Sequence, residues 1–115
     1  MNNTLRNQLI NRRTSSIGVL CEGCNQWIRG RVEVHHLIWR SQTPTGHIRE
    51  LSEVPELLSV VCEMCHLKAH DTPQFRDTLF QAKYRQYGYA KVREAFNKVR
   101  IQIRIGFELP EVIDE

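Results

Sequence analysis

Residues 58–70 read Leu58-Ser59-Val60-Val61-Cys62-Glu63-Met64-Cys65-His66-Leu67-Lys68-Ala69-His70. The short apolar run Leu57 to Val61 predicts a strand. A helix is expected over Glu63 to Asp71, opening at the Cys-x-x-Cys and closed by Pro73 just beyond it. On that helix His66 and His70 are spaced i, i+4, so they share one face and can grip one ion together. Cys62 and Cys65 are matched upstream by Cys21-x-x-Cys24. Two such pairs separated by a long insert read as a four-thiolate zinc site, each pair a tight knuckle whose sulfurs converge.

The insert, residues 25–61, holds the dyad His35-His36 at the end of an expected strand, Val32 to His35. Neighbouring side chains on a strand point to opposite faces, so one imidazole can join a metal while the other faces a substrate. Zinc needs only four ligands, and the cysteines supply them. His35, His36, His66 and His70 therefore ask for a second site. His47 stands apart in a polar stretch and reads as a surface residue.

Working outward, Leu5, Leu9 and Ile10 predict a short amphipathic helix with Arg6, Arg12 and Arg13 on its polar side. Trp27-Ile28 and Val32 to His35 are expected to pair as a hairpin about Gly30. Residues 40–56, with Pro44, Gly46 and Pro55, read as a long loop. Phe75, Leu79 and Ala82, then Tyr89, Val92 and Phe96, predict helices near 74–86 and 88–98. Val99, Ile101, Ile103, Ile105 and Phe107 alternate with polar residues and glycine, a strand pattern.

The length of 115 residues fits one domain, 1–115, and a modest core that benefits from a metal staple. With 41% hydrophobic and 25% charged residues, the composition is globular rather than disordered. No apolar run has membrane-span length, and Met1 to Asn11 lack a signal-peptide pattern. A cytoplasmic protein with no membrane partner is expected, with an organelle left open. Without a secretory signal, disulfides are not the default for the cysteines. The net charge is +3, concentrated in residues 1–50 and 74–104, with an acidic end at Glu108, Glu111, Asp114 and Glu115. A basic body of this kind suits a polyanion.

The run Val34-His35-His36-Leu37, with Leu58 to His66 and then His70, resembles the HNH endonucleases, the His-Me finger or ββα-metal nucleases, in their zinc-knuckle form. The resemblance spans about residues 18–71. It implies an α+β fold: a ββα-metal core, 18–71, with a four-cysteine structural zinc. An N-terminal arm or helix, 1–17, and a C-terminal helical extension with an acidic tail, 72–115, would flank it. It further implies that His36 is the general base and that His35, His66 and His70 hold a catalytic divalent ion, Mg2+ or another. His36, His35 and His66 would form the catalytic set, and Cys21, Cys24, Cys62 and Cys65 the zinc site. The setting it suggests is a free-standing phage or mobile-element nuclease. One position departs from the pattern: Leu57 stands where the family usually carries the asparagine that ties down the loop behind the base.

The chemistry stands beside the resemblance. A divalent ion on neutral imidazoles can bind a phosphoryl oxygen and the leaving oxygen. An imidazole near its ordinary pKa of about 6.5 can take a proton from water. A closed four-thiolate site lacks the open position this needs. DNA is the expected partner, with Arg40, Arg93, Arg100 and Arg104 as candidate phosphate contacts. The alternative is a catalytically impaired zinc-knuckle DNA-binding module. A redox Cys-x-x-Cys protein explains neither the dyad nor the matched pairs.

Overall fold

A computed structural model describes residues 1–39, 43 and 46–113. The elements run α1 (Asn3–Arg13), β1 (Val32–His36), α2 (Gly46–Ser52), a 3₁₀ turn (Pro55–Leu57), β2 (Leu58–Cys62), α3 (Glu63–Asp71), α4 (Pro73–Tyr87) and α5 (Tyr89–Arg100). Among the described residues this is a mixed α+β fold with a two-stranded sheet. No helix among them is long and apolar enough to cross a membrane.

The sheet is antiparallel, with Val32 opposite Cys62, His35 opposite Ser59 and His36 opposite Leu58. The expected hairpin is therefore corrected: β1 takes its partner from β2, far along the chain, not from Trp27-Ile28. Trp27 makes only an isolated bridge to Leu20. Those residues instead close the first knuckle against residues 19–21, where the Cys21 N–H donates to the Gln26 carbonyl at 2.9 Å. The expected loop over 40–56 is corrected in part. Residues 46–52 form α2, and 55–57 a 3₁₀ turn with proline at its start, where a missing N–H costs nothing.

The two faces of the sheet do different work. Leu58 and Val60 pack beneath α1 with Leu9, Leu5, Val32 and Val34. Asn2 caps α1 by accepting the Leu5 N–H at 2.8 Å. Arg6, expected on the solvent side, instead donates to the Val32 carbonyl at 3.0 Å and ties α1 to β1. The larger core gathers Leu37, Leu57, Val61, Leu79, Phe80, Val92, Phe96 and Val99. Phe80 and Phe96 meet edge to face at 6.2 Å. Each fully buried ring contributes about 1.5–3 kcal/mol by leaving water. Gly88, at φ +87°, lets α4 stop and α5 begin at once, in a backbone region that side chains disfavour.

The strand expected over 99–107 is not formed. Val99 is buried on α5, which continues to Arg100. The period of two nonetheless survives: Ile103, Ile105, Phe107 and Leu109 pack against the core while 102, 104, 106 and 108 are exposed. The segment runs extended without a partner strand because side chains hold it. Gln81 Nε2 donates to the Glu111 carbonyl, and Gln81 Oε1 accepts the Ile113 N–H. The Tyr84 hydroxyl donates to the Pro110 carbonyl.

Candidate functional site

The first knuckle leads into residues 25–31 before β1, and the second begins at the last residue of β2 and opens α3. Pairing β1 with β2 brings both to one end of the sheet. One sulfur from each of Cys21, Cys24, Cys62 and Cys65 lies within 4.8 Å of the others. A tetrahedral zinc with bonds of about 2.3 Å spaces its sulfurs by about 3.8 Å, so the cluster fits with a small contraction. Backbone donors already aim at the sulfurs: the N–H groups of Gly23 and Cys62 donate to Cys21 Sγ, each at 3.3 Å.

Burial alone would raise the Cys21 thiol, but backbone N–H groups of Cys24, Cys62 and Gly23 bring it below its ordinary value. Burial raises the thiols of Cys24 and Cys65. Four such groups cannot all ionise side by side without a cation, and a divalent metal such as zinc is what the donor set can bind. Gly23 is obligatory here, since a Cβ at that position would sit 2.9 Å from Cys65 Sγ and 2.8 Å from Phe75.

One ring nitrogen from each of His35, His66 and His70 forms a second cluster, again within 4.8 Å. Its rings stand nearly equidistant, with centroids 5.2, 5.0 and 4.9 Å apart. His66 and His70 come from successive turns of α3, with Nε2 facing Nε2 at 3.2 Å. His35 reaches them from β1. Its two nitrogens are buried and have no hydrogen-bond partner among the described residues. Leaving such groups unsatisfied costs about 1–3 kcal/mol each, which a metal bond would relieve. Burial, then the neighbouring His66, His70 and His36, push its pKa down to about 3. Burial and His70 also lower His66, against the pull of Glu33. Both rings therefore keep the neutral form that ligates metal.

His36 does not join this cluster. By strand alternation it lies on the face of Val32 and Val34, away from His35. Its Nε2 meets Glu53 Oε2 at 3.2 Å, and the Met1 amine meets the same oxygen at 2.9 Å. Burial would raise the Glu53 carboxyl, but hydrogen bonds from that amine and from His36 hold it below its ordinary value. An ionised Glu53 places the proton of a neutral His36 on Nε2, which makes Nδ1 the basic nitrogen. Leu57, in place of the expected asparagine, is buried in the core, and its carbonyl accepts the Leu37 N–H at 3.0 Å. Backbone thus closes the loop behind the dyad.

Of the candidate phosphate contacts, Arg93 and Arg100 are exposed on α5 and Arg104 is exposed just beyond it. Arg100 pairs loosely with Glu108 at 3.4 Å. Arg40 lies outside the described residues. His47 is exposed on α2 and takes no part in either cluster. Trp39 is part-exposed and packs its ring against His70 at 5.4 Å.

Sequence reasoning missed three carboxylates. Glu33 stands 3.9 Å from His66 Nδ1. It lies two residues before His35, on the same strand face, so the period of two could have found it. Glu53 reaches His36 only because α2 returns beneath the sheet, and no local spacing signals that. Glu22, inside the first knuckle, meets Lys83 of α4 at 2.8 Å, with both side chains almost fully buried. Comparison with protein-family models, curated proteins and solved structures gave no match for this chain.

Proposed function

We propose that this protein is a metal-dependent DNA endonuclease of the HNH type, with β1, β2 and α3 as its ββα-metal element and a structural zinc on the four cysteines. The observation that carries the reading is His35. Both its nitrogens are buried and unpartnered at the centre of a three-imidazole cluster, one residue from a histidine paired with a carboxylate. A packing histidine would have a hydrogen-bond partner.

In this mechanism His35, His66 and His70 hold the catalytic ion through neutral nitrogens. A divalent ion there would polarise the phosphodiester and stabilise the leaving oxygen. Glu53 fixes the ring and tautomer of His36, whose Nδ1 takes the proton of the attacking water. The exposed Arg93, Arg100 and Arg104 supply sequence-independent attraction to the phosphate backbone.

Plasmid nicking with and without a chelator tests the proposal. Wild-type protein should nick only with divalent ion present. His36→Ala should keep its zinc and its fold and lose roughly 10²–10⁴ in rate. His66→Ala should regain part of its activity at high divalent ion concentration, whereas added metal cannot replace the base. Cleavage by His36→Ala at the wild-type rate would sink the mechanism. DNA binding without cleavage under any divalent ion would favour a pure binding module.

A further inference from the structure

A basic cavity of about 240 Å³ lies between the C-terminal end of α1 and the C-terminal end of α4, lined by no histidine. Leu9 and Val60, both buried, give it apolar wall. Arg12, Arg13 and Lys83 line it against a single carboxylate, Glu22. Three cations facing one anion leave two positive charges without a counterpart.

The cations are held in place rather than splayed into water. Lys83 Nζ is 2.8 Å from Glu22 Oε1. Arg12 donates to the Tyr87 hydroxyl and Arg13 Nε to the Leu20 carbonyl, each at 3.1 Å. A guanidinium carries five N–H donors, so these anchors leave most of each fork for another acceptor. Among the described residues, no carboxylate lies within ion-pair distance of either arginine. Arg13 is close enough to Lys83 to disfavour its charge. The cavity therefore lacks an anion, and the forks suit one with several oxygens. Its volume falls below the 300–1,000 Å³ usual for organic ligands, which points to a small group.

We propose that this cavity binds a phosphoryl group, contacted by Arg12 and Arg13 and attracted by the charge of Lys83. Two sources share that chemistry: a free phosphate or phosphate monoester, and a phosphate of nucleic acid. The proposal goes beyond the hydrolytic site. Its free-phosphate arm reads the cavity whether or not the protein cleaves DNA.

The experiment titrates the zinc-loaded full chain with inorganic phosphate, using chloride at matched ionic strength as control, and follows backbone amides by NMR. Saturable shifts at Arg12, Arg13, Gln86 and Tyr87 are expected. Arg12→Gln/Arg13→Gln should weaken phosphate at least tenfold, and Arg29→Gln, exposed and outside the cavity, should not. Should the double variant unfold, Arg12→Gln alone serves, since that side chain is exposed. A duplex oligonucleotide is then added. Displacement of phosphate assigns the site to a nucleic-acid phosphate, and retained phosphate shifts assign it to the free anion or monoester. Shifts no larger than with chloride, or equal affinity in wild type and arginine variants, overturn the proposal.

Discussion

Replacing Lys83 with methionine should destabilise the protein by about 3 kcal/mol, near the low end of the roughly 3–5 kcal/mol lost when one partner of a buried ion pair is removed. Lys83 and Glu22 both have side chains no more than 2% exposed. Methionine keeps most of the volume and removes the charge, leaving the Glu22 carboxylate buried. That carboxylate retains two neutral donors, Gln86 Nε2 at 2.6 Å and the Val60 N–H, which sets the expected loss at the low end. Burial holds Lys83 below the usual lysine range even beside Glu22, so the pair only partly offsets its own desolvation. It follows that Glu22→Gln/Lys83→Met should recover most of the loss, because the amide can still accept from Val60 and no bare charge remains. We expect about 1 kcal/mol for the double variant and a coupling of at least about 2 kcal/mol. Urea unfolding of the zinc-loaded proteins measures both, and the Lys83→Met midpoint on heating should fall by about 12 °C, at about 4 °C per kcal/mol. Lys83→Met within about 1 kcal/mol of wild type, or additive single losses, would refute the reasoning.

Cys62→Ser should leave the chain unfolded or aggregated when metal content and circular dichroism are measured together. A structural zinc contributes on the order of 10 kcal/mol, as much as the whole stability of a small domain; a folded, zinc-free Cys62→Ser protein would end that claim. Burial, then the charges of Tyr89 and Asp77, raise the Tyr84 hydroxyl above its ordinary value. The folded state thus keeps a proton that the unfolded state releases near pH 10, and this contribution, full below about pH 10, is lost as pH rises further. Tyr84→Phe should show a shallower loss of stability between about pH 9 and pH 11 in parallel unfolding titrations, and an identical slope would count against the buried hydroxyl. Replacing Arg93, Arg100 and Arg104 by glutamine should reduce the slope of log affinity for DNA against log salt by about 2–3. An unchanged slope in a filter-binding titration moves the DNA path off this surface.

Much of the site was legible because its geometry is local. The Cys-x-x-Cys spacing places two sulfurs together within one turn of chain. The i, i+4 spacing of His66 and His70 puts both rings on one face of α3, and the strand period separates His35 from His36. Helices α1, α3, α4 and α5 follow from apolar spacing over a few residues, although α5 outran its expected end and the alternation after it belonged to an extended tail. What only the tertiary structure decided is which distant segments meet. Val32–His36 could have paired with Trp27-Ile28, its near neighbour, or with Leu58–Cys62. Joining the two knuckles favours the second, and nothing local to either strand encodes that preference. The meetings of His36 with Glu53 and of Glu22 with Lys83 belong to the same class. Each depends on where a loop returns the chain, and that is set by the packing of the whole core rather than by the residues on either side of the contact.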